Sequence, residues 1–266
     1  MIDLDAYLGR IGYRGTLAPT EACLAALHEA HLAAIPFENL DVVRGHGVRL
    51  DLPSLEAKLV RGRRGGYCFE HNTLFKAVLD RIGFGTRILI ARVRLGLPPG
   101  STVVTARSHM VLKVETPGGA YLADVGFGAA GLLRPIPLLP EIVQHMPGAA
   151  FRLRQDGREW ILEGDVGRDS FSDFYAFSLE AQHPIDIEVA NHYTSTHPES
   201  KFRQTVTAQQ VQANRRLALR GFRLEIHQHG TVETRELADE AERLALLATE
   251  FGLDFPPDTC FAPALD

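Results

Sequence analysis

Over roughly the first 84 residues, apolar positions recur at the three-to-four spacing of a helix with one buried face. Leu4, Leu8 and Ile11 share such a face, and Asp3 stands where a helix cap belongs. Thr20 precedes a second run in which Leu24, Leu27 and His31 align. Ser54 is placed to cap a third helix carrying Leu55 and Leu59. After Gly65-Gly66 comes a stripe of Leu74, Phe75, Val78, Leu79 and Ile82, with Gly83 at the position of a C-terminal stop.

Near residue 85 the period changes. "TRILIARVRL" alternates and is rich in branched residues, as strands are. "SHMVLKVE" and "AYLADVGF" do the same, joined by the turn-forming "TPGG". Short strands at 150–154 and 159–163 flank the turn "QDGR", and the β region is expected to run to about residue 190. "NHYTSTHPESKF" is polar and reads as irregular, whereas "FRLEIHQHG" reads as a strand. "LADEAERLALLATEFG" predicts a final helix with Leu244, Leu247 and Phe251 inward and Gly252 as its stop. Helices, then strands, then a mixed end predict an α+β protein.

Composition narrows the function classes. The chain has 266 residues, 45% of them hydrophobic, enough for one large core or two to three small ones packed together. A net charge of −5, spread along the chain, predicts no nucleic-acid track. Cys23, Cys68 and Cys260 lie far apart, which argues against a disulfide framework and for a reducing compartment. The opening "MIDLDAYLGRIGYRG" carries acidic residues and lacks the apolar run of a secretory signal. No apolar stretch reaches membrane-span length. The expected setting is the cytoplasm, with no membrane partner.

Candidate chemistry concentrates in "RRGGYCFEHN", residues 63–72. Gly65-Gly66 can form a tight turn, and the stripe that follows puts Cys68 in the first turn of a helix. Free N–H groups and the positive end of the dipole then face its sulfur, a setting that favours a thiolate. Cys23 and Cys260 lack that setting and read as structural. Cys68 and His71 have the C-x-x-H spacing of half a zinc site, but no second short-spaced pair accompanies them, so no metal is expected. A thiol nucleophile needs an imidazole, and the imidazole needs an orienting group. His109 opens an apolar strand, and Asp124 lies within the next, where an acid is costly to bury unless paired. A loop at 115–118 would set His109 opposite Asp124; a turn at Gly118-Gly119 would displace it by four residues. Spacing alone leaves both registers open.

"RRGGYCFEHN", "RSHMVLKV" and "LADVGFG", with the earlier "IPFENLDV" and the later "STHPESKF", resemble the arylamine N-acetyltransferase family over nearly the whole chain. The resemblance implies a cytosolic enzyme that moves an acetyl group from acetyl-CoA to arylamines, arylhydrazines or N-hydroxyarylamines through an acetyl-cysteine, with no metal. It implies a helical bundle at 1–84, a β-barrel at 85–190 and an α/β lid at 191–266, with a papain-like or transglutaminase-like catalytic core. It carries the triad onto Cys68, His109 and Asp124, and acceptor-pocket aromatics onto Phe37, Phe127 and Phe202. Glu38 is expected to pair with Arg64 and brace the loop before Cys68, with Glu70 and Asn72 as bracing groups nearby. "GFGAAG" fits G-x-G-x-x-G, but "LLRPIPLLP" follows where a dinucleotide fold needs a helix. Gly126 and Gly128 are therefore assigned to coenzyme A through a glycine-rich loop. A tryptophan that some relatives carry after a late strand histidine is replaced here: Gln228 follows His227. A cysteine hydrolase or transglutaminase-like enzyme would use the same triad with water or a lysine amine as acceptor. Nothing in the sequence speaks to oligomeric state.

Overall fold

The computed structural model describes residues 2–98, 100–167, 170–212, 214–228 and 230–261. Side-chain caps set the first helices. Asp3 accepts from the Ala6 N–H ahead of α1 (Leu4–Ile11), and Thr20 from the Cys23 N–H ahead of α2 (Glu21–Ala34). Strand β1 (Phe37–Glu38) and helix α3 (Leu40–Val43) follow. The cap of α4 (Leu52–Leu55) is Asp51, not Ser54; its carboxylate takes both the N–H and the hydroxyl of Ser54. That helix runs directly into a π-helical stretch, Glu56–Arg61. Helix α5 (Cys68–Ile82) ends on Gly83, whose φ of 105° suits a residue without a Cβ.

Strands β2 (Gly85–Val93), β3 (Arg107–Thr116), β4 (Gly119–Ala123), β5 (Ile136–Pro137), β6 (Gln144–Met146), β7 (Ala149–Asp156), β8 (Glu159–Asp165) and β9 (Ser172–Ser178) pair antiparallel. Their order, β5-β4-β3-β2-β9-β8-β7-β6, makes a nearly closed barrel. Its strands end at Ser178, short of residue 190. The polar segment at 191–202, expected to be irregular, continues α6 (Pro184–Thr196) and enters α7 (Lys201–Gln204). It conceals a helix because its buried face is polar. Thr194 and Ser195 turn their hydroxyls back onto the carbonyls of Ala190 and Asn191, and Asn191 bonds the Tyr67 hydroxyl.

The last sheet, β1-β10-β11-β12-β13, adds β10 (Thr207–Gln212), β11 (Arg215–Arg220), β12 (Arg223–Gln228) and β13 (Thr231–Glu236). Helix α8 (Glu240–Phe251), capped by Asp239 and stopped by Gly252, packs on it. Three apolar cores result. One joins the helices to β3 and β4, one fills the barrel around Phe151, Phe174 and Phe177, and one lies under α8. The third also takes in Leu40 and Val43, and β1 pairs with β10, so the N-terminal segment is built into the last sheet. No helix among the described residues is long and apolar enough to cross a membrane.

Candidate active site

The loop before Cys68 is held by close approach. A Cβ on Gly65 would lie 2.0 Å from the Pro36 carbonyl oxygen, and one on Gly66 would lie 2.7 Å from the Glu70 carboxylate. The expected glycine turn is corrected accordingly: the left-handed residue is Arg63, with φ 52°, and the glycines let the loop lie against β1. The Glu38 N–H bonds the Gly66 carbonyl at 2.7 Å. Arg64 donates through Nε and Nη2 to Glu38 Oε1 at 3.1 and 2.7 Å, as expected, and also reaches Asp41. Lys58 joins Asp41 and Glu70 at 2.7 and 2.8 Å. Burial pushes the Glu70 carboxyl up to about 6 against the pull of Lys58. Glu70 also receives the Tyr67 N–H at 3.0 Å, fixing the first turn of α5. Both expected braces are thus in place at the start of the cysteine helix.

Cys68 opens α5 and is 2% exposed. Its Sγ lies 3.6 Å from the Ser108 carbonyl and close enough to the His109 ring to influence it electrostatically. His109 Nε2 meets Asp124 Oδ2 at 2.7 Å, so Nδ1 is the ring nitrogen not engaged by the acid. The hairpin register differs from both alternatives. Thr116 pairs with Gly119 around a Pro117-Gly118 turn, and Leu112 pairs with Ala123. Continued one step, this sets Val111 against Asp124. His109, two residues away, then shares the same face of the sheet and reaches the acid diagonally. The Thr116 hydroxyl stabilises the tighter turn by accepting the Gly118 N–H and donating to the Gly119 carbonyl.

Asn72, one turn after Cys68, ties the helix to the sheet. Its Nδ2 donates to the Met110 carbonyl at 2.7 Å and to Asp124 Oδ1 at 3.1 Å, and its Oδ1 accepts the Val125 N–H. Burial opposes charge on both His109 and Asp124, and their mutual attraction overrides it. The His109 ring is lifted to about 10 by Asp124 and by the contact with Cys68. The Asp124 carboxyl is held below the ordinary range by His109 and by hydrogen bonds from Gly126 and Asn72. The Tyr175 ring lies 5.0 Å from the His109 ring; its buried hydroxyl stands beside Asp124 but outside hydrogen-bonding geometry.

Gly126 is placed by contact rather than by an open N–H. That N–H donates to Asp124 Oδ1 at 2.9 Å, and a Cβ here would lie 2.7 Å from Cys68 Cα and from Asn72 Nδ2. Gly126→Ala is expected to force the acid strand off the cysteine helix, costing about 1–3 kcal/mol of stability and most of the reactivity of Cys68. Urea unfolding together with the rate of Cys68 acylation checks this; a fully reactive, equally stable variant would refute it. Gly128, with φ 81°, abuts the Gln209 side chain, whose Oε1 accepts the Ala129 N–H.

Of the three expected aromatics only Phe127 has a ring contact with His109; Phe37 and Phe202 pack on each other and on His71 and Tyr67. Phe37 stacks on His71 at 6.3 Å and meets Phe202 at 6.0 Å; Phe202 meets Tyr67 edge-on at 5.6 Å. Phe127 sits edge-on to His109 at 5.1 Å.

Two buried histidine arrangements escaped the sequence analysis. His28 Nδ1 bonds the Leu133 carbonyl at 3.1 Å, and its Nε2 takes the Asp124 N–H at 3.2 Å. His71 Nε2 bonds the Pro36 carbonyl at 3.1 Å, His71 Nδ1 meets His31 Nε2 at 2.8 Å, and His31 Nδ1 meets the Tyr7 hydroxyl at 2.8 Å. Both nitrogens of His71 are therefore occupied, which explains C-x-x-H without a metal. The available signal was His31 inside an otherwise apolar helical stripe.

A family profile described as N-acetyltransferase matches residues 21–259. The arylamine N-acetyltransferase of Escherichia coli K12 is 38% identical over 94% of this chain and 88% of its own length. The structure of Mycobacterium marinum arylamine N-acetyltransferase superposes with a TM-score of 0.91 at 40% identity, covering 94% of this chain and 92% of that one. The structure of that enzyme in complex with CoA gives 0.89 at 39% identity, with 94% and 92% covered. The α+β arrangement of helices, barrel and cysteine-bearing helix is thus the papain-like fold of these structures.

Proposed function

The chain belongs to the arylamine N-acetyltransferase family, and we propose that it carries an acetyl group from acetyl-CoA to the nitrogen of arylamines or arylhydrazines, and to the oxygen of N-hydroxyarylamines, by a ping-pong route through acetyl-Cys68. The observation that carries this reading is the burial together of Cys68, at the first turn of α5, and of a His109–Asp124 pair bonded at 2.7 Å whose ring feels the sulfur. The protonated His109 ring puts a positive charge beside the sulfur. The thiolate attacks the thioester carbonyl, and first-turn N–H groups of α5 receive the oxyanion. The C–S bond to coenzyme A breaks, and the departing thiolate takes the proton of His109. The amine then attacks acetyl-Cys68, His109 accepts the amine proton, and the Cys68 thiolate leaves. Phe37, Phe202 and Phe127 supply flat apolar faces for an aromatic acceptor. Gly126 and Gly128 shape the passage by which the thioester reaches the sulfur.

Incubating the protein with acetyl-CoA alone and mapping peptides by mass spectrometry tests this. The expected result is one acetyl group on Cys68, discharged when an arylamine is added, with initial-rate patterns free of a ternary complex. An unmodified Cys68, or acetyl release to water unaffected by amine, would overturn the reading in favour of hydrolysis.

A further inference from the structure

Asn39 stands at the N-terminus of α3, where an asparagine ordinarily caps its own helix. Here its side chain makes no cap bond. Glu38 Oε2 takes the Leu40 N–H at 2.7 Å instead, and the Asn39 amide is turned onto a segment 163 to 168 residues later. Nδ2 donates to the Phe202 carbonyl at 2.7 Å and to the Thr205 carbonyl at 2.8 Å, and Oδ1 accepts the Thr207 N–H at 2.7 Å. Asn39 is 1% exposed, so these bonds are made away from water, and they use both amide hydrogens.

The backbone explains why a side chain is needed there. Strand β1 is paired along both edges: the Glu38 N–H bonds the Gly66 carbonyl of the cysteine loop, and Phe37 and Glu38 face Gln209 and Ala208 of β10. At Asn39 the strand has ended and the chain coils into α3. The carbonyls of Phe202, in the last turn of α7, and of Thr205, just beyond it, have no further helical turn to bond. The Asn39 amide carries the pairing of β1 across that gap. The segment it holds bears Phe202, whose half-buried ring meets Phe37 at 6.0 Å and meets Tyr67, the residue before Cys68, at 5.6 Å. One asparagine thus fixes the main chain of Phe202 relative to Phe37.

Resting on the aromatic-acceptor reading above, we propose that Asn39 is a positioning residue for the acceptor: it sets where the Phe202 ring stands, and so how well a flat amine is held for attack on acetyl-Cys68. Acetyl loading does not draw on it. Among the described residues its amide bonds only the 202–207 segment, whereas the turn that carries Cys68 is held through Glu70 and Asn72. An aspartate of the same shape has no hydrogens to donate and would set a carboxylate against two carbonyl oxygens.

The test follows acetyl-Cys68 through two half-reactions: its formation from acetyl-CoA, and its discharge by an arylamine or by hydrazine, a nucleophile with no ring to hold. Asn39→Asp is expected to lower the second-order rate of discharge by the arylamine by roughly 10- to 100-fold, chiefly as a raised KM for the amine, while hydrazine discharge and acetyl loading change by less than about twofold. Asn39→Ser, which keeps one hydroxyl donor, should show a smaller loss of the same kind and carries the test if the aspartate variant does not fold. Phe202→Leu should reproduce the ring-specific loss, and adding Asn39→Ser to it should cost the arylamine less than about twofold more, because the ring whose place the amide sets is gone. Equal losses in all three rates would mean that Asn39 merely supports the fold, and an undiminished arylamine rate, or losses that multiply in the double variant, would mean that Phe202 does not depend on it; each overturns the proposal. Failure of the unsubstituted protein to form acetyl-Cys68, or to discharge it to an arylamine, would instead strike the acetyl-transfer reading itself, and this proposal with it.

Discussion

Cys68→Ala is expected to reduce acetyl transfer by roughly 10⁴-fold or more, the scale seen when a catalytic nucleophile is removed. The reasoning is chemical before it is geometric. Removing the sulfur leaves His109 and Asp124 paired, at 2.7 Å, with nothing to accept the acetyl group. Tight substrate binding cannot substitute, because on the proposed route the transfer proceeds through a covalent bond that alanine cannot form. The fold should survive: Cys68 is a small side chain at the start of α5, and Glu70, Asn72 and Lys58 hold that turn without it. Urea unfolding should therefore change by no more than about 1 kcal/mol. Cys23→Ala provides the contrast. Cys23 is buried against the Tyr13 hydroxyl, far along the chain from the triad hairpin, and its loss should leave transfer intact. Acetylation of an arylamine followed by chromatography measures both variants. A Cys68→Ala protein retaining more than about one-hundredth of the activity would refute a covalent route.

The three residues of the proposed triad stood out because each violates its local pattern. Cys68 follows a glycine pair at a helix start, His109 opens an apolar strand, and Asp124 interrupts one. Their meeting was not legible, because register depends on a turn whose geometry is decided by the Thr116 hydroxyl, a contact that strand alternation does not encode. The polar helix face at Asn191, Thr194 and Ser195 hid α6 for a related reason: periodicity detects buried apolar side chains, not buried hydroxyls bonded to their own helix. β10 escaped similarly, since Gln209 and Gln210 are buried with their amides satisfied by Thr207, Leu32 and Ala33. In each case the deciding partner lies far along the chain or in the backbone.

Acid should unfold this protein well above the range where carboxylates alone titrate, because His28, His31 and His71 must stay neutral in the native state. Each ring is held by one donor and one acceptor. Leu133 and Pro36 offer only carbonyl oxygens, so His28 Nδ1 and His71 Nε2 carry the hydrogens. The Asp124 N–H can only donate, so His28 Nε2 is bare. With its hydrogen on Nε2, His71 Nδ1 is bare and takes the hydrogen of His31 Nε2; His31 Nδ1 then accepts from Tyr7. A second proton on any ring breaks one of these bonds and buries a charge. Burial accordingly pushes His28 and His71 down to about 4, and His31 well below its ordinary value. An unfolded histidine titrates near 6.5, so below that pH the unfolded chain binds more protons and stability falls as pH falls. From pH 7 to 4.5 each of the two rings near 4 withdraws about 2.5 kcal/mol, and His31 works in the same direction. Glu70, raised to about 6, works in the opposite direction, since its buried acid binds a proton before its unfolded counterpart does. It returns about 1.5 kcal/mol over the same interval. His109 also works in the opposite direction: its raised value makes its stabilisation complete below about 6.5 and progressively lost as pH climbs to about 10, so it returns about 1 kcal/mol between pH 7 and 4.5. The expected net loss from the groups with values is about 2.5 kcal/mol, to which His31 adds, a large share of the stability of a typical domain. Urea midpoints measured from pH 7 to 4.5 should fall steeply, and His71→Gln, which keeps a donor for Pro36 and cannot titrate, should flatten the slope by about one proton. A midpoint unchanged across that interval would show that these rings are not held neutral, and that the chain from Tyr7 to Pro36 does not order the loop beneath Cys68.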